Sequence, residues 1–126
     1  MYKYYLLFAA MYLIFLACKK EEDKTEPGIN TAAISCDSVD SKFSTGIAPI
    51  MSKNCALGGC HAGSGRSGVV LETYEQIRDN AGMDRFLIAI KRTKENGVSP
   101  MPRSGPLSAN DVRAIECWIE EGRQNN

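Results

Sequence analysis

Seven residues hold most of the chain's capacity for chemistry: Cys55-Ala56-Leu57-Gly58-Gly59-Cys60-His61. They supply two thiols and the only histidine among 126 residues. A histidine directly after a cysteine, with a second cysteine shortly before it, is an arrangement that attaches c-type haem. The two thiols add across vinyl groups and become thioethers, and the adjacent imidazole is then held beneath the iron. Two other chemistries use the same atoms. One is a Cys55–Cys60 disulfide in a small exported scaffold. The other is a structural zinc site, which wants four ligands in spaced pairs. Zinc is poorly served here, because Cys60 and His61 are adjacent and no second Cys/His pair exists.

The common haem-attachment spacing has two residues between the cysteines, and this chain has four. The longer C-x4-C-H form resembles haem sites of multihaem cytochromes and of some monohaem cytochrome c lipoproteins. Small residues flank Leu57, and glycine permits the positive-φ turns that the longer loop needs.

A loop of this kind needs helices to place it. Ser44 or Thr45 can cap a first helix running to about Asn54, with Ile47, Ile50 and Met51 on one apolar face. Pro49 falls in an early turn, where a missing N–H costs little. Ala62 to Gly68 is a Gly/Ser loop whose backbone can supply a carbonyl to the His61 ring, and Arg66 in it could pair with a haem propionate. Leu71 to Asn80 reads as a second helix with a Thr73/Gln76 capping box. Gly82 interrupts it, a third helical pattern runs from Met83 to Arg92, and Gly97 closes that element. The last helix is capped by Ser108 and stapled by Leu107 and Val112. It buries Val112, Ile115, Trp118 and Ile119, and meets Gly122 at its C-terminus.

Between the third and last helices lies Ser99-Pro100-Met101-Pro102-Arg103-Ser104-Gly105-Pro106, a stiff, extended loop. Met101 on this loop, forty residues after His61, resembles the distal-ligand loop of monohaem cytochromes c. From Phe43 to Gly122 the chain therefore resembles a class I cytochrome c. That resemblance implies an all-α cytochrome c fold, with short helices around one covalently bound haem c. It implies covalent attachment at Cys55 and Cys60 and axial iron ligands at His61 and Met101, with Met83 as the alternative distal ligand. In that family the C-terminal helix crosses the N-terminal one. On that crossing, and with Cys36 and Cys117 the two cysteines left without a task, a Cys36–Cys117 disulfide is expected. Two buried thiols are the alternative.

The amino-terminal stretch sets the compartment. Tyr4 to Ala17 is an unbroken apolar or aromatic run of fourteen residues, the length of a signal-peptide core and short for a membrane span. Phe15-Leu16-Ala17-Cys18 resembles a bacterial lipobox, which implies lipidation at Cys18. An uncleaved anchor helix is the alternative. Lys19 to Lys24 reads as a solvated charge run, and it also resembles the export tag of surface lipoproteins in Bacteroidetes-type bacteria. The expected organisation is a signal peptide over 1–17, a flexible tether over 18–35 and a haem domain over 36–126. About 90 residues make a marginal core, and an apolar macrocycle would add to it.

Lys plus Arg and Asp plus Glu are 15 each, so no nucleic-acid footprint is visible. The expected function is one-electron transfer to a redox partner protein by a membrane-anchored, exported carrier rather than an enzyme. The alternative is a disulfide-stapled binding or adhesion lipoprotein without haem. A haem enzyme or sensor lacks a distal acid/base histidine, since His61 is alone.

Overall fold

The computed structural model describes residues 27–63 and 68–126. The expected signal peptide, Cys18 and Arg66 lie outside them. Among the described residues the regular structure is helical, with no strand. Four α-helices follow in order: α1 (Ala48–Asn54), α2 (Tyr74–Ala81), α3 (Asp84–Lys91) and α4 (Ala109–Glu120). Short 3-10 turns form at Cys36–Ser38 and Glu95–Gly97.

The chain enters α1 through a π-helical turn, Phe43–Ile47, rather than through an ordinary first turn. The wider turn is closed by the Ile47 N–H donating to the Lys42 carbonyl at 3.0 Å. It presses so close to residue 40 that a Cβ on Gly46 would stand 2.0 Å from the Asp40 carbonyl oxygen. Only glycine fits there. The expected Ser44 or Thr45 cap is not used. The amides of Phe43 and Ser44 donate instead to the side chain and backbone carbonyls of Asn126, at 2.8 and 2.9 Å. Orphan amides at a helix start can be satisfied by any acceptor within reach, and here it comes from the far end of the chain.

Helix α2 begins at Tyr74, three residues later than Leu71, because the Thr73/Gln76 capping box forms in full. Helix α3 stops at Lys91, short of Gly97. Arg92 takes the left-handed conformation (φ 60°), and its N–H turns back to Ala89 and Ile88. Glycine usually holds that position; here it is taken by Arg92, where the helical pattern was expected to end. Helix α4 matches its expected signals: the Ser108 hydroxyl accepts from Asp111 N–H at 3.0 Å, and Gly122 follows with φ 90°.

The interior is built around Trp118, which is fully buried with Ile47, Met51, Val112 and Ile115. The Phe43 ring lies 5.7 Å from Trp118 and 5.0 Å from Tyr74, edge-on to the latter. This packing holds the turn before α1 against α4 and α2. The centre of the fold is thus closed by its own side chains. Cys36 and Cys117 form a disulfide with Cα atoms 5.7 Å apart, which joins the segment ahead of α1 to the buried face of α4.

Residues 28–35, expected as part of a tether, pack onto α3 and α4. The Ile29 N–H donates to the Lys91 carbonyl at 2.8 Å, and Thr31 is buried with its hydroxyl on Glu116. Glu116 is itself buried on α4 and gathers Lys91 at 2.6 Å and Arg113 at 3.4 Å. Burial alone would push the Glu116 carboxyl up, but the hydrogen bonds and charge of Lys91, Thr31 and Arg113 hold it below its usual value. A carboxyl depressed in the folded state stabilises above its unfolded pKa, and that contribution is lost as pH falls through the lower folded value. Glu116→Gln should therefore destabilise the chain most near neutrality. The gap to wild type should close on acidification below about pH 4, as read by urea unfolding across pH. A gap that stays constant would show that the carboxylate charge does not hold the segment.

Candidate haem-attachment site

Helix α1 delivers the site. Its last turn carries over into the loop, where the amides of Cys55 and Ala56 both donate to the Met51 carbonyl at 2.8 Å. The loop then closes on itself: Leu57 N–H and His61 N–H donate to the Cys55 carbonyl (2.8 and 3.2 Å), and Cys60 N–H to the Leu57 carbonyl at 2.9 Å. Gly59 takes φ 80° in open space. The two extra residues of the C-x4-C-H spacing are thus absorbed in a compact double turn, and both cysteines stay with the histidine.

Cys55 is 8% exposed, while Cys60 and the neighbouring Leu57 are exposed. Neither Cys55 nor Cys60 belongs to a disulfide. Burial first, and Cys60 second, push the Cys55 thiol up to about 11. At neutral pH Cys55 is therefore a thiol rather than a thiolate. Among the described residues, the cluster with metal-ligating atoms in range is Cys36, Cys117 and Glu120. Its two sulfurs are bonded to each other.

His61 is half-buried, and its Nδ1 lies 3.0 Å from the Val69 carbonyl. A carbonyl only accepts, so Nδ1 carries the proton, and in the neutral ring the lone pair sits on Nε2. This is the tautomer a metal-binding histidine needs when a backbone carbonyl orients it. The carbonyl was expected from within Ala62–Gly68 and comes one residue later. Leu71 N–H donates to the His61 carbonyl at 2.9 Å, and Gly63 N–H to the Glu72 carboxylate at 3.0 Å. Val69, Leu71 and Glu72 thus form a clasp around the histidine. No spacing in the sequence pointed to Glu72, whose carboxylate reaches back across the loop.

A cleft of about 400 Å³ lies beside the loop, bounded by Phe43, Met51, Ala56, Leu71, Tyr74 and Ile77. Its walls are mostly apolar and Ala56 brings it to the edge of the double turn. The proximal donor set fits a covalently held haem in residue type, tautomer and grouping. Met101 is placed separately, half-buried on its proline loop with its N–H on the Ala89 carbonyl of α3 at 3.0 Å. Neither this cleft nor the pocket under residues 28–32 is lined by Cys55, Cys60, His61 or Met101. Met83 is half-exposed at the start of α3. Met51 is core, as its place in α1 implies.

Compared with known proteins, the chain matches no family model, no curated sequence and no solved structure.

The exposure difference between the thiols is measurable in chain produced without haem attachment. Iodoacetamide at pH 8 should label Cys60 at least about ten-fold faster than Cys55, read by peptide mass. Equal rates would show that the loop does not bury Cys55.

Proposed function

We propose that the chain is an exported monohaem c-type cytochrome that transfers single electrons. In this reading Cys55 and Cys60 hold the haem as thioethers, His61 Nε2 is the proximal iron ligand and Met101 the distal one. Bound haem would supply an iron that alternates between two oxidation states. The chain's own part is positional. Helix α1 and the double turn fix the two sulfurs. The Val69 carbonyl fixes the plane of the ring through Nδ1 and raises the basicity of His61. A neutral thioether opposite would favour the reduced state relative to a second imidazole.

One observation carries the proposal: two thiols outside any disulfide accompany a histidine whose Nδ1 is already bonded to a backbone carbonyl. The Cys36–Cys117 disulfide supports an oxidising compartment. Lipidation at Cys18 would anchor the domain at the periplasmic face or on the outer-membrane surface, within reach of a redox partner protein. No described helix is long and apolar enough to cross a membrane.

A second reading is favoured by the closed interior around Trp118: a disulfide-stapled binding or adhesion lipoprotein that needs no haem. Optical spectra separate the two. Export in a host able to attach haem should give a coloured protein with a low-spin spectrum. Met101→Ala should then allow carbon monoxide to bind the reduced protein, and Met83→Ala should leave the spectrum unchanged. The reverse pattern would move the distal role to Met83, and colourless wild type would favour the scaffold.

A further inference from the structure

We infer that the pocket between residues 28–32 and the facing parts of α3 and α4 binds a small monocarboxylate through the Lys91 ammonium and the Thr93 hydroxyl. None of its walls belongs to the candidate haem-attachment loop, so the inference stands apart from the haem proposal.

The pocket has a volume of about 430 Å³, within the range of small-molecule sites. One wall is the segment ahead of α1, with Ile29, Thr31 and Ala32. The other is the end of α3 and the middle of α4, with Lys91, Thr93, Arg113 and Glu116. The first wall is fixed to the second. Ile29 N–H donates to the Lys91 carbonyl at 2.8 Å, and a Cβ on Gly28 would stand 3.0 Å from that same oxygen.

The polar groups of the pocket are unequally satisfied. Glu116 is filled: its Oε1 accepts from Lys91, and its Oε2 from Thr31 and Arg113. Arg113 is filled too, with Nε on the Ile34 carbonyl, Nη1 on Glu116 and Glu120, and Nη2 on Cys36 Sγ. Lys91 differs. An ammonium has three N–H donors, and its side-chain partner among the described residues is Glu116 alone. Thr93 Oγ1 is buried and meets no hydrogen-bond partner among the described residues. A buried hydroxyl left so is costly until an acceptor or donor reaches it.

Two residues apart, Lys91 and Thr93 therefore offer donors to one pocket, and a ligand must bring the acceptor. Charge narrows its class. Lys91 and Arg113 carry two positive charges against the one negative charge of Glu116. Glu120 also meets Arg113, but it is exposed and lies outside the lining. A single carboxylate balances the remainder, and its two oxygens can serve an ammonium and a hydroxyl together. Ile29 and Ala32 give apolar surface to a compact hydrocarbon body beside it.

The probe is benzoate, with benzamide as its uncharged counterpart. Each is titrated into the full exported chain near neutral pH at fixed ionic strength, followed by the amide NMR shifts of Ile29 and Thr93. Benzoate should move both signals saturably, and benzamide should bind at least about ten-fold more weakly, as loss of a charge-assisted bond implies. Thr93→Val keeps the shape and removes the unpartnered hydroxyl. It should weaken benzoate at least about ten-fold and leave the melting temperature equal or higher, because no bond within the chain is lost. Lys91→Met should abolish the preference for benzoate over benzamide. Signals that do not saturate overturn the inference, as does benzamide binding as tightly as benzoate. Thr93→Val with unchanged affinity overturns it as well, and a Thr93→Val chain that melts earlier assigns the hydroxyl to the fold and removes it from the site.

Discussion

Burial of Trp118 is the constraint on which the rest of the molecule depends. Its ring is fully buried on α4, and its Nε1 donates to the Gln124 carbonyl at 2.8 Å. Removing a buried Trp side chain typically costs about 3–5 kcal/mol. Phe43 leans on one side of it, and Tyr74 on Phe43. The Tyr74 hydroxyl in turn donates to the Arg123 carbonyl at 2.8 Å. One aromatic group thus fixes the entry to α1, the start of α2 and the exit from α4 relative to one another.

The candidate site hangs from two of those three elements. Helix α1 ends in the double turn that carries Cys55, Cys60 and His61, and α2 begins just after the clasp of Val69, Leu71 and Glu72. Ile47 and Met51 anchor α1 in the core, and Ile77 anchors α2. The connection between them is pinned to the core near its two ends by Cys55 and Leu71. Met101 depends on a third element, since its N–H donates to the Ala89 carbonyl of α3. The loop of Cys55, Cys60 and His61 and the loop of Met101 are therefore supported by different helices. The disulfide and the buried Glu116 bracket the opposite side of α4, where residues 28–36 close over the charged face that Lys91 and Arg113 share.

Local signals were well written in the chain. The Thr73/Gln76 box, the Ser108 cap, Gly122, the burial of Val112, Ile115 and Trp118 on α4 (Ile119, expected with them, is only half-buried) and Met51 in the core follow from spacing alone, because each depends on neighbours within a turn or two. The Cys36–Cys117 pairing was reachable only through a family resemblance and an assumed helix crossing. What stayed hidden was long-range. Asn126 caps a helix more than eighty residues earlier, Arg92 takes a left-handed turn that glycine usually holds, and Thr31 reaches a carboxylate on α4. Each is a tertiary partner or a backbone turn replacing a local signal. At the site the motif was legible, but the carbonyl acceptor moved to Val69 and Glu72 went unforeseen, since a loop's closure depends on which side chains meet across it.

The most direct test is the mass of the peptide running from Asn54 to Arg66, released by trypsin from chain exported in a host able to attach haem. Attachment through both sulfurs predicts a peptide heavier by one haem, with no alkylatable thiol. The same peptide with two alkylatable thiols, or with Cys55 and Cys60 joined to each other, would contradict the assignment.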